Sequence, residues 1–400
     1  MDLSLFHPEL QKAAKTVPTM NLTSSNLWLW RLLVNRPATS SNDVVIKNKI
    51  IPGVDSKSTI RLRVYRSKSL VGLAPGLLWF HGGGLVMGKP EVDDALCIRF
   101  VQAAGIVVAS VQYRYAPEYP FPAGLDDAYT ALKWLHTQGR QFGIDVNRLG
   151  AGGESAGGCI AASLAQLAHA RNEVPLKTQH LIYPMLDDRS SIRSDLPDDT
   201  RFWTKQSNRF GWEAYLCKAC GSGDVPEYAV PARRSDLAGL PPAWIGVGSL
   251  DLFHDEDVAY AQRLRSSGVN CELKVVNGAF HGFDVLAPKT QIVQEFTQAQ
   301  IASLKKNLFA GKRIFTAFDM VPGNKYYVKQ PFTDYDKYVH NLGESWVFVN
   351  KSFLPYEDGL TLFIGQNGSQ HSFRMQARPE EQDEIIANFS QYVEEEAPSG

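Results

Sequence analysis

Short apolar runs alternate with helical segments between about residue 45 and residue 305. Strands are predicted at Val44–Ile46, Ile60–Tyr65, Leu77–Phe80, Ile106–Val111, Arg148–Ala151, His180–Tyr183, Ala243–Val247 and Glu272–Val276. Helical segments are predicted between them at Asp126–Gln138, Ser155–Arg171, Glu256–Ser267 and Thr290–Lys306. Near-continuous apolar strands that alternate with helices indicate an α/β fold, with a mostly parallel central sheet flanked by helices.

Two segments lie outside this alternation. Residues 1–45 carry several tryptophan and leucine side chains before the first strand, and residues 187–228 are rich in charged and aromatic side chains. Both are expected to be insertions or covers beside the sheet. Ordinary peripheral helices are the alternative that the pattern leaves open.

The pattern changes after about residue 309. Strands are predicted at Lys312–Met320, Lys325–Val328, Ser345–Val349, Leu360–Ile364 and His371–Met375. Asp358-Gly359 and Asn367-Gly368 are typical of hairpin turns. A final helix is expected from Pro379, with an apolar face formed by Ile385, Ile386, Phe389, Tyr392 and Val393. We therefore expect two domains, residues 1–309 and a small α+β domain at residues 310–400.

The charge and the cysteine content restrict the function classes. The 400 residues carry 41 Lys and Arg against 42 Asp and Glu, a formal charge of −1, so nothing in the overall charge favours binding to nucleic acid or to an anionic membrane. No apolar run approaches the roughly 18 residues of a membrane helix. The first residues lack the basic segment and the apolar segment of a secretory signal, so no such signal is expected there. With only five cysteines, no disulfide framework is expected, and the cytoplasm is the predicted location.

One cysteine pair has the spacing of a metal site. Cys217 and Cys220 are separated by two residues, but a structural zinc site needs about four ligands and no second pair follows. We therefore expect plain thiols at both positions, no bound metal and no cofactor.

A candidate nucleophile stands in Gly153-Glu154-Ser155-Ala156-Gly157, which matches G-x-S-x-G. The motif alone is a weak signal. Here it lies between a predicted strand and an Ala-rich predicted helix, which is the setting of a nucleophile elbow. Such a turn would expose the hydroxyl of Ser155 and bring the N–H of Ala156 near a developing oxyanion.

A second glycine-rich segment, His81-Gly82-Gly83-Gly84, follows the predicted strand Leu77–Phe80. Consecutive glycines leave backbone N–H groups accessible, as an oxyanion hole requires. We expect the oxyanion donors to be the N–H groups of Gly83, Gly84 and Ala156, with Gly82 a less favoured donor. A phosphate-binding loop would need a Lys-Ser/Thr ending, which this sequence lacks.

A serine nucleophile needs a base and an orienting carboxylate, and in this fold they follow the serine in the order acid, then histidine. His281 lies in a loop after a predicted strand, where such sites are built. Asp251 is the first acid after the preceding strand, and Asp255 is the alternative. The predicted roles are nucleophile for Ser155, general base for His281 and orienting acid for Asp251.

Taken together, these motifs resemble the hormone-sensitive-lipase-like branch (bacterial family IV) of the α/β-hydrolase esterases. The resemblance covers about residues 40–305 and includes His81–Gly84, Tyr113–Glu118, Gly152–Gly158, Asp251 and His281-Gly282-Phe283. It implies an α/β-hydrolase fold and a cofactor-free serine esterase for short- to medium-chain acyl esters. It also implies a helical cap made of residues 1–45 and 187–228. The sequence departs from the family at Leu85, where an aromatic residue is common.

Residues 310–400 lie outside the usual family chain and resemble a small uncharacterised bacterial domain family, which implies no activity. The predicted function is hydrolysis of a small-molecule ester. An amidase or deacetylase with the same three residues is the alternative, and a ligand-binding receptor on a hydrolase scaffold would be expected to lack one of them. Formation of homo-oligomers, or assembly through residues 310–400, is left open.

Overall fold

The computed structural model of the chain describes residues 2–34, 38–55, 58–70, 73–196, 200–310, 315–354, 356–378, 380–387 and 389–396. The chain divides into two compact units. The first comprises residues 1–70 and 74–310, and the second comprises residues 71–73 and 311–400.

In the first unit, the described residues form an eight-stranded sheet in the order β1-β2-β4-β3-β5-β6-β7-β8. Neighbouring strands from β4 to β8 in this order are parallel, whereas β2 pairs antiparallel with both β1 and β4. The strands are β1 (Val44–Pro52), β2 (Thr59–Ser67), β3 (Ala74–Phe80), β4 (Val107–Gln112), β5 (Ile144–Glu154), β6 (Gln179–Ile182), β7 (Ala243–Gly248) and β8 (Cys271–Val276). The predicted α/β fold with a mostly parallel sheet is confirmed.

Helices cover both faces of this sheet. They are α1 (Gln11–Thr16), α2 (Leu27–Leu33), α3 (Asp94–Ala104), α4 (Ala123–Gln138), α5 (Ala156–Arg171), α6 (Lys205–Leu216), α7 (His254–Ser266), α8 (Phe283–Leu286) and α9 (Gln291–Leu308). Leu78 and Phe80 of β3 belong to a core shared with α4, α5 and α7. Leu77 and Trp79 belong to a second core shared with α3 and α9. Because successive side chains of a strand point to opposite faces of the sheet, the apolar run in β3 packs against the helices on both faces.

The two segments outside the strand–helix alternation pair with each other. Met20 forms an isolated parallel bridge with Trp203, and its N–H donates to the carbonyl oxygen of Phe202 at 2.9 Å. The N-terminal residues contribute α1 and α2, and residues 187–228 contribute α6 and a short 3₁₀ helix at Asp188–Ile192. Hydrogen bonds from Ser207 and Thr204 to the carbonyl oxygen of Met20 reinforce this pairing.

The second unit contains a five-stranded antiparallel sheet in the order β14-β13-β12-β9-β15 and a two-stranded β10-β11 ribbon. The strands are β9 (Lys325–Val328), β10 (Phe332–Thr333), β11 (Val339–His340), β12 (Ser345–Leu354), β13 (Gly359–Gln366), β14 (Ser369–Gln376) and β15 (Val393–Glu395), and the helices are α10 (Asp383–Ala387) and α11 (Phe389–Tyr392). Asp358, Asn367 and Gly368 adopt positive φ at the hairpin turns, as their residue types favour.

Two expectations for this second unit are wrong. The described part of the strand predicted at Lys312–Met320 contains a 3₁₀ helix at Ala317–Asp319 instead, because Thr316 and Asp319 form a reciprocal capping box. Residues 312–314 of that prediction, and Pro379 at the predicted helix start, lie outside the described residues. Val393 belongs to β15, where it pairs with Val328, and not to the final helix.

The described ranges contain no helix that is long and apolar enough to cross a membrane.

We predict that a chain ending at residue 309 folds on its own, since the sheet strands β1–β8 and both of their helical cores lie within residues 1–309. Circular dichroism of the truncated protein is expected to show a single cooperative thermal transition. An insoluble product, or a truncated chain without a melting transition, would contradict the predicted division at residues 309/310.

Candidate active site

Ser155 lies at a sharp turn between β5 and α5. Its backbone adopts φ 54° and ψ −120°, a conformation that a non-glycine residue holds only when its surroundings impose it. Two hydrogen bonds impose it here. The N–H of Ser155 donates to the carbonyl oxygen of Ile182 at 2.9 Å, and its carbonyl oxygen accepts from the N–H of Met185 at 3.0 Å. The segment that follows β6 therefore holds the serine turn from both sides.

The glycines of the motif are required because strand and helix approach too closely for side chains. A Cβ atom at Gly157 would lie 2.5 Å from the carbonyl carbon of Phe80 and nearer still to its oxygen, and one at Gly153 would lie 2.8 Å from the same oxygen. These distances are far below van der Waals contact. The two glycines thus let the start of α5 pack directly on the end of β3, as expected for a nucleophile elbow.

The structure brings the three residues that the sequence predicts into a hydrogen-bonded series. His281 Nε2 lies 3.0 Å from Ser155 Oγ, and His281 Nδ1 lies 2.8 Å from Asp251 Oδ2. All three side chains are buried. The histidine can thus accept the serine proton through one nitrogen while the carboxylate holds the other nitrogen as a donor.

Asp251 follows β7, and a short hydrogen-bonded loop fixes its carboxylate. Its Oδ1 accepts the N–H of Phe253 at 2.9 Å, which leaves Oδ2 for the histidine. The N–H of Leu250 donates to the carbonyl oxygen of Ala279 at 2.9 Å, so the acid loop is tied to the histidine loop. The alternative acid, Asp255, forms its ion pairs with Arg193 and His254 instead.

The glycine-rich loop after β3 lies near the serine turn, since a Cβ atom at Gly82 would lie 3.2 Å from Glu154 Oε1, in the residue before Ser155. Gly83 and Gly84 adopt φ 126° and 61°, which L side chains rarely adopt. Among the described residues, the N–H groups of Gly83, Gly84 and Ala156 donate to no protein acceptor. Unpaired backbone donors beside a buried serine hydroxyl are what an oxyanion hole requires.

Comparisons with known proteins agree with this geometry. Residues 77–285 match the family described as alpha/beta hydrolase fold. The chain is 35% identical to Esterase LipI of Mycobacterium tuberculosis over 58% of this chain and 72% of LipI. It is 36% identical to the Ethyl acetate hydrolase of Pseudomonas putida over 56% of this chain and 71% of that protein. The solved structure of a Bacterial Heroin Esterase superposes with a TM-score of 0.71 at 32% identity, covering 76% of this chain and 99% of that one.

The chain belongs to the hormone-sensitive-lipase-like branch of the α/β-hydrolase family. It is a carboxylic-ester hydrolase. Its relatives include proteins named esterase, carboxylesterase, ethyl acetate hydrolase and carboxylic ester hydrolase. Residues 295–396 match a separate domain of unknown function, DUF3601, so the second unit is a known module that has no assigned activity.

His81 of this esterase is a structural anchor, as its position before the glycines suggests. Its ring stacks on Tyr113 at a centroid distance of 4.5 Å, and its Nδ1 lies 2.8 Å from the carbonyl oxygen of Gly82. Burial lowers the pKa of His81 to about 4, so the ring stays neutral at physiological pH. The hydroxyl of Tyr113 donates to the carbonyl oxygen of His81, which fixes the loop from behind.

Phe202 and Trp203 of the esterase cover the site. The sequence predicts a cover at residues 187–228 but does not indicate which of its side chains contact the site. The ring of Phe202 lies parallel to that of His281 at 6.3 Å. A Cβ atom at Gly84 would lie 2.5 Å from the indole Cζ2 of Trp203, so the indole rests on the glycine loop. The only sequence signal for these contacts is the aromatic content of residues 187–228. The pairing with Met20 brings these two residues to the site.

Cys217 and Cys220 of the esterase are free thiols, one exposed and one buried. The described part of the chain contains no group of three or more His, Cys, Asp or Glu side chains arranged to hold a metal ion.

We predict that Gly157→Ala destabilises the enzyme, because the new methyl group would overlap the backbone of Phe80. The expected loss in the free energy of unfolding is about 3 kcal/mol, at the upper end for overpacking. Urea denaturation measures it. Gly223→Ala is the matched control, since no heavy atom lies within 4 Å of a Cβ there. Equal stability of the two variants would contradict the close approach.

Proposed function

We propose that this carboxylesterase hydrolyses short- to medium-chain acyl esters through a Ser155–His281–Asp251 triad. The observation that carries the proposal is the double hydrogen bonding of His281, to Ser155 Oγ and to Asp251 Oδ2. A buried serine hydroxyl that is hydrogen-bonded to a histidine, which a buried carboxylate orients in turn, is the arrangement that acyl transfer requires.

In the proposed reaction, Ser155 Oγ attacks the acyl carbon while His281 Nε2 takes the hydroxyl proton. The N–H groups of Gly83, Gly84 and Ala156 donate to the negative oxygen that forms. His281 then returns the proton to the leaving alcohol, which departs and leaves an acyl-enzyme. A water molecule attacks the acyl carbon as His281 accepts its proton. The carboxylic acid leaves and Ser155 regains its hydrogen.

Asp251 acts through the imidazole. Its carboxylate holds Nδ1 as the protonated nitrogen, which leaves Nε2 free to accept, and it stabilises the imidazolium that forms. The rings of Tyr183 and Phe253 meet the His281 ring edge-on at 4.7 Å and 5.0 Å. These contacts restrict the imidazole to the plane that both hydrogen bonds need.

The proposed cap consists of residues 1–45 and 187–228. Its support is the Met20–Trp203 pairing and the contact of Trp203 with the glycine loop. An indole at this position limits the space beside the proposed oxyanion hole, which suits a small acyl group. A small ester substrate and a cytoplasmic location stay predictions, as does assembly into oligomers.

We expect Ser155→Ala to reduce kcat for p-nitrophenyl acetate by at least about 10³-fold, because the nucleophile is removed. Asp251→Asn is expected to cost about 10⁴-fold, because the amide favours the wrong imidazole tautomer. Asp255→Asn is the matched control and should stay near wild type. Near-normal turnover by Ser155→Ala would contradict the mechanism, and parallel assays with aryl acetamides would measure any amidase activity.

The acyl preference is tested with p-nitrophenyl esters of increasing chain length. The wild-type kcat/KM is expected to be highest for short to medium chains. Trp203→Ala should raise kcat/KM for the longer esters about 10-fold, since one or two methylenes are worth that much in an apolar pocket. Trp134→Ala, on α4 against Phe142, is the control. An unchanged chain-length profile in Trp203→Ala would contradict the role given to this indole.

A further inference from the structure

Four polar side chains near the Ser155 turn are connected to one another by hydrogen bonds and take no part in the proposed reaction. The hydroxyl of Tyr183 donates to Asp284 Oδ1 at 2.8 Å and lies 3.4 Å from Glu154 Oε2. Glu154 in turn shares a hydrogen bond with Asp93. Tyr183, Glu154 and Asp93 are buried, and Asp284 is partly buried. We call these four residues the inner network.

The members of the inner network come from four separate places in the fold. Glu154 ends β5 and directly precedes Ser155, whereas Tyr183 directly follows β6. Asp284 lies in α8, three residues after His281, and Asp93 lies in the 3₁₀ helix Pro90–Asp93 that follows the glycine loop. The inner network therefore connects three segments, which are the turn at Ser155, the loop that carries His281 and the residues that follow the glycine-rich loop.

The hydrogen bond between Glu154 and Asp93 bears on the protonation of both carboxyls. Two carboxylates can only accept, so a hydrogen bond between them requires a proton on one. Burial raises the pKa of Asp93 to about 7, but the indole N–H of Trp79 donates to Asp93 Oδ2 at 2.7 Å and stabilises its charged form, which favours Asp93 as the acceptor and Glu154 as the donor. Burial raises the pKa of Glu154 well above its ordinary value, and the nearby Asp93 and Asp284 raise it further.

Tyr183 joins the network to the catalytic groups. Its ring meets that of His281 edge-on, and its N–H donates to the carbonyl oxygen of Gly246 at 2.6 Å. Its neighbours Ile182 and Met185 hold the backbone of Ser155. Tyr183 itself adopts φ 32°, in the left-handed region, so its position is imposed by these contacts.

We propose that Glu154 works in its neutral, proton-donating form, and that Glu154 and Tyr183 are positioning residues that align Ser155 with His281 and the oxyanion loop. The proposal rests on the proposed triad mechanism and extends it. Neither residue forms a bond or exchanges a proton in the proposed reaction. Glu154 ties the serine turn to Asp93, and Tyr183 ties it to the loop of the base through Asp284.

Other titratable groups surround the network and contribute to its behaviour with pH. Asp94 lies beside Asp93 but is neutralised by Arg63, with a hydrogen bond from Tyr65 as well. The remaining groups that face Asp93, Glu154 or Asp284 are Cys97, Tyr113 and His281. Burial raises the pKa of Cys97 and of Tyr113, so both stay neutral near physiological pH. Glu154 is thus the group whose proton loss would place two facing carboxylates, Glu154 and Asp93, in contact.

The direction of the pH effect follows from the raised pKa of Glu154. Its hydrogen bond to Asp93 is complete in acid and is lost as the pH rises through the folded-state pKa. Above that pH, the carboxylates of Glu154 and Asp93 repel each other. The hydrogen bond that joins the Ser155 turn to Asp93 is then lost. We therefore expect kcat of the wild type to fall at alkaline pH.

The test combines kinetics with infrared spectroscopy on the full-length chain. Glu154→Gln keeps a donor to Asp93 at every pH, so its kcat at neutral pH should lie within about 3-fold of wild type and its alkaline decline should vanish. The infrared difference spectrum, wild type minus Glu154→Gln at pH 7, should show the carbonyl band of a protonated carboxylic acid. Tyr183→Phe should lower kcat about 10-fold with KM nearly unchanged.

Tyr260→Phe is the control for Tyr183→Phe, because it removes a buried hydroxyl that contacts only Gln166 among the described polar side chains. Its kcat should equal that of wild type. A difference spectrum without the acid band, or an alkaline decline shared by wild type and Glu154→Gln, would overturn the role of Glu154. Equal kcat in Tyr183→Phe and Tyr260→Phe would overturn that of Tyr183. Turnover retained by Ser155→Ala would instead refute the triad, and the infrared band would be unaffected.

Discussion

The direct packing of α5 on the end of β3 is the constraint on which the site depends. No side chain fits between Gly157 and the backbone of Phe80, so the helix starts immediately beside the glycine loop. This closeness brings the start of α5 against the glycine-rich segment, since a Cβ atom at Gly157 would lie 2.7 Å from the carbonyl oxygen of His81. It also forces the turn at Ser155 into φ 54°, which the hydrogen bonds to Ile182 and Met185 hold in place. The strained turn presents the hydroxyl to His281.

The sequence was sufficient for those parts of the fold and site that local pattern determines. The apolar runs predicted a strand at each of the eight positions of the first unit. The prediction has a clear physical basis for β3, β6 and β7, because strands buried on both faces leave few polar positions. Ser155 was predicted from its G-x-S-x-G motif, and Asp251 and His281 from their loops after strands. The structure brings the three within hydrogen-bonding distance. Their catalytic roles stay a proposal. The glycines at 150 and 152 also have a steric reason, since side chains there would meet Thr178 and Trp79.

The features that the sequence did not predict depend on contacts between distant segments. Trp203, whose indole contacts the glycine loop, pairs with Met20 from a distant part of the chain. The Glu154–Asp93 pair joins two acids that each look ordinary in sequence, and only burial together makes one of them a donor. In the second unit, the side chains of Thr316 and Asp319 cap a turn within a run that otherwise favours a strand.

The proposed mechanism requires that ester cleavage pass through an acyl group on Ser155. Rapid quenching of the enzyme with a p-nitrophenyl ester, followed by peptide mass spectrometry, tests it most directly. One acyl group is expected on the peptide that contains Ser155, formed at the rate of the p-nitrophenol burst and absent in Ser155→Ala. An acyl group on another residue, or full turnover without any covalent intermediate, would contradict it.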